Sequence, residues 1–309
     1  MYKFKTHIRI IIFFMLLAST SACGQKKTIP KSLIGVKETV AKLDSAVTAM
    51  YGWEPRGSTY NASVDTLVAD LMNQCEEECP DVKHGKRTVH AIEQDAYDEA
   101  RVTWAKFKKL CDADEYEKAL DVYLGEGDDY IKKNSGDFLV FLKHSTQRFI
   151  FFSQVLLPLM REYRGEEYAV NDYIDNLQLE KALSDATIAM SAETTGYIPE
   201  AYPYVIKELG SALVSVGKMD EAQDLFDDYI NAIYSQTGDA LYANFAGTYY
   251  TAHLYLLDDK PDWALGTWDN FKEYLEEYKA DYSPEELAIC LKKIDEEMSK
   301  ITSRVINVE

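Results

Sequence analysis

The chain of 309 residues carries 33 basic against 52 acidic side chains, a formal net charge of −19 at pH 7. An excess of that sign disfavours nucleic acid and anionic lipid headgroups, both of which call for positive charge. With 47% hydrophobic and 28% charged residues the chain has the make-up of a folded protein with a sizeable core, which argues against global disorder.

At the amino end Lys3, Lys5 and Arg9 precede an apolar run from Ile10 to Ala18, and the small residues Ser19 to Ala22 lead to Cys23. The apolar run is too short to cross a bilayer, which suits an export signal better than a spanning helix. Residues 1–22 resemble a bacterial lipoprotein signal peptide, with Thr20 where that family usually has leucine. The resemblance implies that Cys23 is lipidated and becomes the mature amino terminus, so that the membrane is reached through acyl chains alone. Gly24 after the cysteine implies the outer membrane of the cell envelope, with the periplasmic or surface side left open. Residues 23–31 then serve as a tether.

Leu33, Val36, Val40, Leu43, Val47 and Met50 recur at helical spacing and predict a helix over 32–50. Gly52, Pro55 and Gly57 end it, with Trp53 capping the hydrophobic end. A second helix is expected over about 62–79, from Val64, Leu67, Val68 and Leu71, and Pro80 stops it. After a polar loop the pattern returns with Ile92, Ala96, Ala100, Trp104 and Phe107. Tyr116, Ala119 and Tyr123 then mark a further short helix. Residues 138–160 are strongly apolar, yet Lys143, His144, Gln147 and Arg148 interrupt them, so a central buried helix fits better than a membrane span.

Helices over about 166–192 and 199–216 lead into two helical hairpins. In the first, Leu209, Gly210 and Leu213 face Ala222, Phe226 and Tyr229 across a turn at Gly217; the second repeats small Ala252 and Ala264 with large Tyr255, Trp268 and Phe271. Small residues let helices approach, and large ones three or four positions apart fill the seam. This pattern resembles the tetratricopeptide repeat, paired helices of about 34 residues. The unit at 104–124 resembles a degenerate copy, with Lys106 where the repeat wants leucine. Ser283-Pro284-Glu285-Glu286 opens a last helix with an apolar stripe of Leu287, Leu291, Ile294, Met298 and Ile301. No stretch alternates in strand fashion. The expected fold is all-α, about ten helices in a TPR-like α-solenoid, with an N-terminal half over 32–165 and repeats with a capping helix over 166–309.

Signatures of chemistry are sparse. Cys75 and Cys79, one turn apart before Pro80, are disulfide candidates, since export would place them in an oxidising compartment. With His84 and His90 they form the alternative of a metal site, though the central spacing is shorter than in zinc fingers. Phosphate-loop, dinucleotide-loop, nucleophile-elbow and His-Glu-x-x-His patterns are missing, and no cofactor is expected. Asp44-Ser45-Ala46 and Asp65-Thr66-Leu67 resemble acceptor sequences of some envelope O-glycosylation systems. His144 and His253 lie in aromatic surroundings and read as structural.

The repeat resemblance implies a binding face formed by the first helix of each unit. By position it would hold Trp104 and Lys108, then Lys207 and Ser211, then Tyr249 and His253. The leading expectation is a non-enzymatic scaffold engaging an envelope protein or peptide there. A second is surface glycan capture, for which Trp263 with Trp268 would have to form an exposed pair. A third is an enzyme, which a pocket holding a histidine beside a carboxylate would favour. Nothing in the residues specifies an oligomeric state.

Overall fold

The computed structural model describes residues 29–51, 89–125, 136–192 and 195–306, and no strand occurs among them. The fold is all-α. Two compact units are distinguished, Met1–Ile34 and Gly35–Glu309. The described part of the first holds one 3-10 turn, Lys31–Leu33, closed by the Leu33 N–H on the Pro30 carbonyl at 3.0 Å.

In the second unit the first helix begins later than the apolar period suggests, because Gly35 takes a φ of 96°, which suits glycine best. The elements that follow are α1 (Val36–Tyr51), α2 (Val89–Asp112), α3 (Tyr116–Leu124), α4 (136–141) and α5 (Ser145–Phe151). A π turn, Phe152–Leu156, joins α5 to α6 (Leu157–Arg164). Then come α7 (Glu166–Ser191), α8 (Tyr202–Ser215), α9 (Met219–Gln223), α10 (Phe226–Thr237), α11 (Ala240–Leu257), α12 (Pro261–Glu277) and α13 (Pro284–Ile306). The helix expected over 62–79 lies outside the described residues, as does Trp53.

An aromatic core holds α2 to α5 together. Trp104 lies 4.8 Å from Phe141, and Phe138 meets Phe107 edge-on at 5.2 Å and stacks on Phe151 at 5.1 Å. The single helix expected over 138–160 is divided, and Arg148 holds the division in place. Its Nη1 donates to the carbonyls of Leu142 (3.1 Å) and Lys143 (2.6 Å), taking up acceptors that a helix end leaves open. Its other edge forms a two-pronged pair with Glu180 of α7, Nη2 to Oε1 at 2.9 Å. The Glu180 side chain is 0% exposed. Pro158 explains the π turn: lacking an N–H, it cannot close the regular bond, and the Leu157 N–H reaches back five residues to Phe152.

Gly165, φ 92°, makes the turn between the packed helices α6 and α7. From α7 onward helices pack in chain order: α7 on α8, α8 on α9 and α10, α10 on α11, α11 on α12, α12 on α13. α8 also touches α11. Leu209, Gly210, Leu213, Ala222, Ala252, Ala264, Trp268 and Phe271 are buried as their spacing predicts. The expected helix through Ala222, Phe226 and Tyr229 is instead broken at Asp224 and Leu225. Tyr250 of α11 reaches that break and donates to the Ala222 carbonyl at 2.7 Å. Gly210 makes the reach possible, since a Cβ there would sit 2.2 Å from the Tyr250 hydroxyl.

The last helix begins with a capping box: Glu286 N–H donates to Ser283 Oγ (3.2 Å) and Ser283 N–H to Glu286 Oε2 (3.1 Å). Among the described residues no helix is long and apolar enough to cross a membrane.

Candidate functional site: a tyrosine face and an adjoining cleft

Four of the six expected face residues sit on α8 and α11. Lys207 and Ser211 are half-buried on α8, and Ser211 Oγ donates to the Lys207 carbonyl at 3.0 Å. Tyr204, one turn earlier, is 62% exposed. On α11 Tyr242 and Tyr249 are exposed and His253 is half-buried. Between these helices Tyr229 of α10 stacks on Tyr250 at 4.9 Å. Burial pushes the Tyr229 hydroxyl up, and the hydroxyls of Tyr242, Tyr204 and Tyr249 push it further, so phenols from three helices share one neighbourhood.

The other two expected residues belong elsewhere. Trp104 is 1% exposed, and its ring is enclosed by Phe107, Phe138, Phe141 and Phe151. Its indole N–H donates to Asp44 at 3.0 Å, so it is core filling and presents no surface. Lys108 is paired with Asp112 one turn on, at 2.8 Å, and that bond raises its pKa. Asp44 of the acceptor-like triplet is thus occupied by Trp104, and Ser45 Oγ donates to the Ala41 carbonyl at 2.9 Å. Asp65-Thr66-Leu67 lies outside the described residues.

Beside the tyrosine face a cleft of about 300 Å³ opens between α11, α12 and α13. Ala252, Trp268 and Ile301 line it and are all buried, which makes an apolar floor. Tyr249 and His253 form one wall, their rings parallel within 5° at 6.4 Å, and Tyr249 stands edge-on to Trp268. Glu297 and Lys300, an ion pair at i, i+3, form the other wall from α13. The Glu297 carboxylate raises the Lys300 pKa most, and the Tyr249 hydroxyl also contributes, which places that ammonium near the aromatic wall.

The helical period flagged Tyr249 and His253, whereas Glu297 and Lys300 read only as polar positions on a capping helix. Tyr204 and Tyr242 carried no signal beyond the abundance of tyrosine, 22 residues against 12 phenylalanines, and Tyr229 read only as a filler of the hairpin seam.

The remaining expectations are placed as follows. Trp263 is 63% exposed and packs near Tyr255 at 5.6 Å, while Trp268 is 1% exposed, so the two do not form an exposed pair. His144 is exposed in the break before α5 and does not sit in an aromatic pocket. Cys23, Cys75, Cys79 and His84 lie outside the described residues, as does the His90 side chain at the start of α2. Cys111 and Cys290 are buried free thiols, and burial, then Asp112 and Asp114, push Cys111 up to about 12. No group of three or more metal-ligating side chains occurs among the described residues.

Comparison with protein-family models, curated proteins and solved structures finds no match. What this face binds has to be argued from its own side chains.

Proposed function

We propose that this is a lipid-anchored binding or scaffold protein of the bacterial cell envelope, built of TPR-like hairpins, that engages a protein or peptide through the face of α8 and α11. The carrying observation is the group of tyrosines from three helices, three of them exposed. Tyrosine offers a large rigid contact area with a polar tip, the combination that anchors protein interfaces at low entropic cost. The amino-terminal pattern ending in Cys23 supports the lipid anchor and the envelope location.

The test is capture from gently cross-linked native membranes, comparing the wild type with Tyr204→Ala, Tyr249→Ala and Lys207→Ala. A stoichiometric protein partner whose recovery falls about tenfold in the tyrosine variants supports the proposal. Recovery unchanged by all three substitutions, or none above an untagged control, overturns it.

An enzymatic reading draws on one observation, that His253 and Glu297 line the same cleft. The described lining includes no serine, threonine or cysteine nucleophile, and Glu297 is engaged by Lys300. Among the described residues glycan capture keeps Trp263 as its one exposed tryptophan.

A further inference from the structure

The cleft between α11, α12 and α13 offers an apolar floor and, from a single turn of α13, one charge of each sign. We propose that it binds a free α-amino acid with an aromatic or large aliphatic side chain.

The Glu297–Lys300 pair is the reason for that ligand class. The Lys300 side chain is 65% and the Glu297 side chain 24% exposed, and an i, i+3 pair open to solvent on one side holds itself together only weakly. A ligand bearing an ammonium and a carboxylate can exchange that one ion pair for two, ammonium on Glu297 and carboxylate on Lys300, without stranding a charge. An α-amino acid carries both groups on a single carbon with an apolar body attached. Within a longer peptide the two termini are far apart and the intervening groups are neutral.

The rest of the cleft suits the body of such a ligand. Trp268, Ala252 and Ile301 exclude water from its base, and Tyr249 and His253 add two aromatic rings on one side for an apolar side chain to pack against. A volume of about 300 Å³ is at the small end of ligand sites, which fits one amino acid. The inference stands apart from the partner reading, because the α8–α11 face could bind a protein with this cleft empty.

The test is titration calorimetry of the purified full chain with L-phenylalanine, alongside 3-phenylpropionate, phenethylamine and N-acetyl-phenylalanine amide. L-phenylalanine is expected to bind with a Kd of about 1 mM or tighter, and each analogue missing a charge about tenfold more weakly. Glu297→Gln should weaken L-phenylalanine while tightening phenylpropionate, which no longer has to displace a carboxylate from Lys300, and Lys300→Met should weaken it while tightening phenethylamine, which then meets an unpaired Glu297. Both substitutions are at the rim, so unchanged far-ultraviolet circular dichroism separates lost binding from lost fold. Two results overturn the proposal: no heat with L-phenylalanine, or equal affinity for the N-acetyl amide, which would assign the cleft to a side chain of a peptide partner.

Discussion

Two carboxylates on α7, Glu180 buried and Asp172 half-buried, are both raised in pKa by burial but differ in their partners. Glu180 is fully enclosed; burial raises its pKa, and the two-pronged bond from Arg148 opposes that rise. Removing one partner strands a charge, so Arg148→Met or Glu180→Leu alone should cost about 3 kcal/mol or more in urea unfolding, with the double variant recovering much of it. Among the described residues no cation is paired with Asp172. Tyr123 Oη donates to Asn176 Oδ1 (3.1 Å), and Asn176 Nδ2 donates to Asp172 Oδ2 (2.8 Å). Burial, with help from Asp175 and against the Asn176 bond, raises Asp172 from 3.8 to about 6. The folded state therefore holds that proton more tightly than the unfolded chain does. The stability this contributes is fully present below about pH 4 and lost as pH rises through 6. Asp172→Asn should remove that slope, leaving the variant about 1–3 kcal/mol ahead of the wild type at pH 7.5 relative to pH 4. Parallel pH profiles of the two proteins would rule this out.

The helices were largely legible in the residues because helix formation is local. Caps, prolines and apolar spacing act within a few positions, and the Ser283 capping box and the inward-packed stripe of α13, part buried and part half-buried, follow from four and fifteen consecutive residues respectively. Two expected helices were divided by causes farther away or less obvious. Arg148 reaches back to the Leu142 and Lys143 carbonyls, and Tyr250 of another helix meets the Ala222 carbonyl beside the break at Asp224. Gly210→Ala tests the second contact. Alanine is the better helix former by about 1 kcal/mol, yet its Cβ would press on the Tyr250 hydroxyl at 2.2 Å. Net destabilisation of about 1–3 kcal/mol is expected, with part recovered by adding Tyr250→Phe. A stabilised single variant would show that α8 and α11 have room to separate.

For the whole molecule the anchor is a prediction of its own. Cys23→Ala should release the protein from the membrane fraction and abolish incorporation of labelled fatty acid, because no helix among the described residues can span a bilayer in its place. Retention of the variant in membranes would move the anchor elsewhere.

Local chemistry by itself determined the all-α class, most helix positions, the acidic surface and the apolar stripes, since each depends on residue type and on spacing within a turn or two. Only tertiary packing decided which aromatics face solvent. Trp104 and Tyr249 are both large aromatics at helical spacing, yet Phe138, Phe141 and Phe151 close over the first, while α11 leaves the second open. The cleft is decided in the same way: Glu297 and Lys300 share it with His253 because α11, α12 and α13 pack in succession, which brings together side chains too far apart in the chain for any short-range pattern to report.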